Sequence, residues 1–382
     1  MKKRRTFLPY GRQMVDEDDI KAVVEVLRSP FITQGPKVEE FERKIAEYVG
    51  ANYAVSFANG TAALHGAYYA AGVRSGDEVI TTPITFAATA NAALYCGGAP
   101  VFADIDPKTY NLNPAEVERK ITDKTKVIAP VDFTGQPSEI DAFMELAEQY
   151  NVTIVQDGAH SLGATYKGHK VGQQAHMTMF SFHPVKPITT AEGGVITTND
   201  AELYEKLKLF RTHGIEKTPA AAREGDWYYE MTDLGYNYRL NDLQAALGLS
   251  QLKKIDRFIA RRQEIAVQYD DLLRNVPGVV TPYVREDVQS GWHLYMIQLD
   301  KRAVKKSRKE VFDQMREANI GVHVHYIPIY WHPYYRELGY EKGLCPLAES
   351  WYEQALTLPI FPTMTAEDVE YVVETLREIV EV

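Results

Sequence analysis

Short apolar runs alternate with helix-like segments through the first two hundred residues. This alternation limits the fold more than any other feature of the 382-residue chain. The runs fall at 53–57, 78–81, 101–103, 126–130, 152–156, 177–182 and 194–198, and helical segments at 61–71, 86–95, 114–121 and 138–150 lie between several of them. Runs of this length, spaced by amphipathic helices, predict an α/β fold: a mostly parallel seven-stranded sheet flanked by helices. Ahead of it, 16–28 forms a helix with Ile20, Val23, Val24 and Leu27 on one face. Pro36 opens the next helix, which buries Val38, Phe41 and Ile45 and stops at Gly50. A long helical stretch at 240–273 leaves the sheet domain. Strands at 293–299 and 321–324, a helix at 306–318 and a last helix from Glu367, capped by Thr365, then suggest a smaller α+β unit. The expected division is a large domain over 1–255 and a small C-terminal domain over 256–382.

Composition excludes several classes of function. The net charge is −10, so no basic surplus points to nucleic acid, and an anionic ligand must be met by local donors. Cys96 and Cys345 are far apart and match no metal or disulfide spacing, which fits a reducing cytoplasm. Lys2-Lys3-Arg4-Arg5 resembles the start of a signal peptide, but no apolar stretch follows it, so export is not expected. No apolar run is long enough to span a membrane.

In open α/β sheets, ligands bind beyond the carboxyl ends of strands, so the residues just past each run carry the functional signal. Lys186 lies in Phe180-Ser181-Phe182-His183-Pro184-Val185-Lys186-Pro187, between two buried runs. Desolvation in such a loop favours the neutral amine, which is what a carbonyl-condensing nucleophile needs. On that residue alone, an ordinary loop lysine remains the alternative. Asn59-Gly60-Thr61-Ala62 offers either an anion cradle at a helix start or a plain N-cap. Phe86, past the second run, either stacks on a flat ligand or packs in the core. Asp157, in Asp157-Gly158-Ala159-His160, needs either a protonated ring nitrogen or backbone N–H groups to stay ionised. Ser181 calls for an acceptor or an anion. Asn237 and Arg239, in Gly235-Tyr236-Asn237-Tyr238-Arg239, supply an amide and a guanidinium, or merely a turn with a surface charge. A lysine, a carboxylate, a stacking ring and a phosphate cup together are what pyridoxal 5'-phosphate requires.

The order and wording of these motifs resemble the DegT/StrS family of sugar aminotransferases, over nearly the whole chain from Tyr10 onward. The resemblance implies the aspartate-aminotransferase type of fold (PLP fold type I), with Lys186 in the Schiff base and Asp157 on the pyridine nitrogen. It implies that Thr61, Ala62 and Ser181 hold the phosphate, Phe86 stacks on the ring and His160 lies near the ring hydroxyl. Asn237 would reach the phosphate from a neighbouring subunit, giving a homodimer with shared active sites. Thr33-Gln34-Gly35-Pro36, Pro187-Ile188-Thr189-Thr190 and His325-Tyr326-Ile327-Pro328-Ile329-Tyr330 resemble a narrower branch. That branch uses glutamate to aminate C4 of a UDP-linked 4-keto-6-deoxy-N-acetylhexosamine, towards pseudaminic acid. Substrate contacts are then expected from Thr33, Gln34, His183, Arg239, His325 and Tyr326. Relatives with histidine in place of the lysine become sugar dehydratases; Lys186 is present here, so transamination is expected. The alternatives are another nucleotide keto-sugar (C3 or dTDP-linked) or a non-catalytic cofactor-binding regulator. His323, His325 and His332 have no nearby carboxylate or cysteine to complete a set, so no metal is expected. No GxGxxG follows a strand, which argues against a nicotinamide dehydrogenase.

Overall fold

The computed structural model describes residues 4–218 and 221–381. The seven apolar runs become β1 (Tyr53–Phe57), β2 (Glu78–Thr81), β3 (Ala99–Phe102), β4 (Thr125–Ala129), β5 (Thr153–Asp157), β6 (Met177–Ser181) and β7 (Gly194–Thr198). They form one sheet in the order β1-β7-β6-β5-β4-β2-β3. Neighbours from β6 to β3 pair in parallel, and β7 runs antiparallel to both β6 and β1. Because β7 is reversed, β1 points the same way as β6. The carboxyl ends of β1, β6 and β5 therefore meet at one edge. Register fixes the meeting: Phe57 and Ser181 both face Gly194, and Asp157 pairs with Met179.

Helices cover both faces, which is why these strands are buried along most of their length rather than alternating between buried and exposed. On one face Leu64 and Tyr68 of α3 (Gly60–Ala70), Ala92 of α4 (Ala88–Tyr95) and Phe210 pack on Val55, Phe57, Val79, Val155 and Ile196. On the other, Phe41 and Ile45 meet Phe180, Phe182 and Val195. Asp16 caps the first helix, α1 (Glu17–Leu27), through a capping box, and Gly50 ends the second, α2 (Pro36–Val49), in the left-handed region at φ 80°.

Two expectations change in the C-terminal part. The stretch 240–273 is two helices, α5 (Asp242–Leu252) and α6 (Ile255–Leu273). Lys254 sits at their joint, with its ammonium drawn to Asp16 and, at 3.0 Å, to Asp19 at the start of the first helix. Residues 321–324 form no ladder strand. They make a single bridge, from His323 to Thr357 in the strand Ala355–Leu358, which the sequence patterning did not single out. That strand pairs antiparallel with Tyr295–Leu299. α6 spans the two main cores: Phe258 and Ile259 belong to the sheet domain, while Ile265, Tyr269 and Leu273 pack with Tyr295, Leu356 and Leu376. Among the described residues, no helix is long and apolar enough to cross a membrane.

Candidate active site

The carboxyl ends of β5 and β6 deliver two of the expected site residues, Asp157 and Lys186. Asp157, the last residue of β5, is 4% exposed. The Thr89 hydroxyl donates to its Oδ2 at 2.7 Å and the Ala159 N–H to its Oδ1 at 3.1 Å. Burial raises the Asp157 pKa above the ordinary carboxylate value, and those two donors with the Lys186 charge oppose the rise. Lys186 follows β6 in a tight turn closed by its own N–H to the His183 carbonyl at 2.9 Å. Burial lowers its amine pKa to about 8, against the pull of Asp157.

Three more rings close around the lysine. Lys186 Nζ lies 3.5 Å from His293 Nε2. The His293 and His160 rings stand 4.3 Å apart, and the Tyr326 hydroxyl lies 3.4 Å from His160 Nε2. Burial first, and the lysine charge second, hold both imidazoles well below their usual pKa, so both are neutral. His160 Nδ1 is buried with no partner.

Beside this cluster lies the start of α3. Asn59 caps it by accepting from the Ala62 N–H at 2.8 Å, so that N–H is already engaged. The Thr61 hydroxyl has no partner among the described residues. Ser181 approaches so closely that a Cβ on Gly60 would stand 3.3 Å from the serine Cβ. Phe86 is 63% exposed, which removes core packing as its explanation, and its ring meets Tyr326 edge-on at 6.3 Å.

These features fit pyridoxal phosphate. A helix start with a free hydroxyl and a close serine suits the phosphate. An exposed ring suits a flat heterocycle, an unpartnered imidazole nitrogen suits its hydroxyl, and a buried carboxylate suits its ring nitrogen. Residues 13–377 match the DegT/DnrJ/EryC1/StrS aminotransferase family. The chain belongs to that family. As a member it is a sugar aminotransferase, and its cofactor is pyridoxal 5'-phosphate. The family member from Campylobacter jejuni called UDP-4-amino-4,6-dideoxy-N-acetyl-beta-L-altrosamine transaminase is 40% identical over 377 residues, 98% of each chain. The Bacillus subtilis spore coat polysaccharide biosynthesis protein SpsC is 41% identical, covering 100% of this chain and 99% of that one. Among solved structures of the family, Helicobacter pylori PseC, an aminotransferase involved in the biosynthesis of pseudoaminic acid, superposes with a TM-score of 0.93. It is 36% identical, over 98% of this chain and 100% of its own.

The other expected residues lie further out. Thr33 and Gln34 are exposed, in a loop tied down by Asp242, which accepts from the Gly35 and Lys37 N–H groups at 2.8 and 2.9 Å. His183 is exposed beside Ser181. Asn237 is exposed and bridged through its backbone to Thr212. Among the described residues, no hydrogen bond, ion pair or ring contact joins Thr33, Gln34, Asn237 or Arg239 to the Lys186 cluster. His325 is buried; its Nδ1 meets the Thr357 hydroxyl at 2.8 Å and its ring stacks on His323 at 4.5 Å. Sequence reasoning missed Thr89 and His293. Thr89 follows Phe86 by three residues, one helical turn, and was within reach of the pattern. His293 is 107 residues from Lys186, and nothing local to Trp292-His293-Leu294 marks it.

Proposed function

We propose that this protein moves the amino group of glutamate to the C4 keto group of a UDP-linked 4-keto-6-deoxy-N-acetylhexosamine, in the cytoplasm. The full-length likeness to the Campylobacter transaminase carries this reading. In it, Lys186 is the covalent anchor and the proton carrier, and Asp157 is the fixed counter-charge. Thr61, Ala62 and Ser181 form the phosphate cup, Phe86 the stacking face, and His160 the neighbour of the ring hydroxyl. When bound, the cofactor supplies a protonated heterocycle able to take up the charge left when a proton leaves the donor's alpha carbon.

The chain's own residues do the rest. With its pKa lowered to about 8, Lys186 has a sizeable neutral fraction near neutrality and can both take and return a proton. Asp157, held by Thr89 and the Ala159 N–H, cannot swing away from the position where a cation is needed. Tyr326 and Phe86 meet edge-on beside the cluster.

Two copies complete the site in this reading, with Asn237 of a second copy reaching the phosphate. Exposed Trp227, Met231 and Leu234, just ahead of Asn237 in sequence, support a subunit contact there. Thr33, Gln34, His183, Arg239, His325 and Tyr326 contact the sugar nucleotide, and the domains divide near residue 255.

The experiment is an absorption spectrum of the purified protein. A visible band near about 410–430 nm is expected to bleach on adding glutamate. The UDP-keto-sugar should restore it and the dTDP counterpart should not. No visible band even with added cofactor would sink the cofactor reading, and restoration by the dTDP sugar alone would sink the substrate.

A further inference from the structure

His293 stands in a tightly constrained stretch of backbone. The segment carrying it lies against residues 133–135: the Gly291 N–H donates to the Gly135 carbonyl at 2.8 Å and the Leu294 N–H to the Thr134 carbonyl at 3.1 Å. The approach is so close that a Cβ on Gly135 would stand 2.8 Å from the Trp292 nitrogen, 2.9 Å from the His160 carbonyl oxygen and 3.0 Å from the His293 nitrogen. Gly135 has φ +107°, open in practice only to glycine. Thr134 and Trp292, one on each side of this contact, also have positive φ, 62° and 47°. Such conformations cost roughly 1–3 kcal/mol each and persist only where the surroundings impose them.

Arg262 imposes this one. It is 1% exposed, and its Nη1 donates to the carbonyls of Ile360 at 2.9 Å, Trp292 at 3.1 Å and His293 at 3.4 Å. A buried guanidinium with no carboxylate partner among the described residues is expensive, and here it fixes the backbone of residues 292–293. The result is that one imidazole nitrogen, Nε2, faces Lys186 Nζ at 3.5 Å. Among the described residues that is the only hydrogen-bond partner of the amine. Nδ1 of His293 is buried with none. Opposite a charged Lys186, Nε2 faces a donor, which assigns it as the acceptor and puts the ring hydrogen on Nδ1.

We propose that His293 is a positioning residue for Lys186: its Nε2 accepts one amine hydrogen and thereby fixes where the lysine lone pair points. The inference rests on the role given to Lys186 above and adds the group that aims it. Accepting from the ammonium also favours the charged lysine. The titratable and charged groups facing the pair are Asp157, His160, His325 and Arg262; the three besides Asp157 depress the imidazole pKa with Lys186, and Asp157 raises that of the lysine. His293 therefore stays neutral, and remains an acceptor, while Lys186 titrates.

The test is the titration of Lys186 itself, read apart from turnover. Full-length protein freed of cofactor is labelled with limiting acetic anhydride across a pH series, and acetylation of Lys186 is followed by peptide mass spectrometry. The midpoint should fall near 8 in the parent. His293→Leu fills similar space without an acceptor and should lower the midpoint by about one pH unit, the size expected for one hydrogen bond to a charged group. His293→Gln, whose amide oxygen can accept, should restore most of the shift. A His293→Leu midpoint equal to the parent's, in a variant that melts normally, overturns the proposal. Should that variant not fold, nitrogen-15 imidazole spectra of the parent and of Lys186→Met decide. The His293 Nε2 resonance must move when the amine is removed, and an unmoved resonance overturns the proposal. Full turnover in Lys186→Met would instead sink the role of Lys186 and leave the titration to judge the contact.

Discussion

Two regions carry the residues expected to act, and they are built differently. At the ends of β5 and β6, Asp157, Lys186, His160, His293 and Tyr326 are packed and linked by contacts that one chain completes alone. In the outer region Thr33, Gln34, His183 and Asn237 are exposed, and Trp227, Leu234 and Met231, just ahead of Asn237 in sequence, are 78%, 69% and 66% exposed. A sheet edge fixes geometry through register. A surface loop fixes it only when something else covers the loop. The inner region can therefore do proton chemistry with little rearrangement, whereas the outer one fits the recognition role proposed for two copies.

The contrast breaks most readily at the inner cluster. Lys186→Ala should lower turnover at least about 10,000-fold while leaving the far-ultraviolet circular dichroism and the melting profile of a folded protein. Activity near that of the parent with a keto-sugar would mean that the cluster is not the reaction centre. Asp157→Asn keeps shape and removes charge, and should cost at least about 100-fold in turnover. A fully active variant would make the aspartate a structural acceptor for Thr89 and the Ala159 N–H.

At the outer region the expected effect is smaller and of another kind. Asn237→Ala should weaken cofactor retention by about tenfold, the cost of one or two hydrogen bonds to an anion. Mixing it with Lys186→Ala under conditions of subunit exchange, at a cofactor concentration too low to fill Asn237→Ala alone, should regain up to about a quarter of parent turnover, because one of the two proposed shared sites then holds both native residues. No recovery, with exchange shown by a tag, would place Asn237 and Lys186 in the same site of one chain, or neither in any.

The sheet was legible because buried strands leave a local record: seven apolar runs of three to six residues, each landing within two residues of an observed strand. Helix signals were as good where the caps were local, as at Asp16, Pro36 and Ser307. The break between α5 and α6 was not legible, because it is set by Lys254 meeting Asp16 and Asp19 from another helix. The same holds in the site. Asp157 and Lys186 announce themselves as polar groups at the ends of apolar runs. His293 does not, since its place depends on Gly135 and Arg262, which lie far away in sequence. Sequence patterns report what a residue does to its own element; a group held by three separate elements is visible only in the fold.

Gly135 tests that dependence. Gly135→Ala must place a Cβ 2.8–3.0 Å from three backbone atoms at φ +107°, and should destabilise the protein by about 2–4 kcal/mol in urea denaturation. If it folds, turnover should fall further than stability alone explains, because residues 292–293 must shift. A stable variant with parent turnover would mean that the segment yields easily and that the inner region is no more rigid than the outer one.

The smallest effect separates the regions by pH. In the folded chain Lys186 titrates near 8, against 10.5 for an ordinary lysine. A depressed lysine pKa contributes stability that is fully present above the unfolded value and is lost as pH falls through the folded one. Between those limits the unfolded chain binds the extra proton, so stability rises with pH. Cofactor-free protein should therefore gain on the order of 1–2 kcal/mol from about pH 8 to pH 10.5 through this residue, a figure discounted for its partial exposure. Lys186→Met lacks the titration, so the difference in unfolding free energy between parent and variant should slope across that window. Replacing His183 by Asn, at an exposed position three residues earlier, should leave the slope unchanged. A flat difference for Lys186→Met would show that the amine is as well solvated as the outer loops, and the division between a dry catalytic edge and a wet recognition surface would not hold.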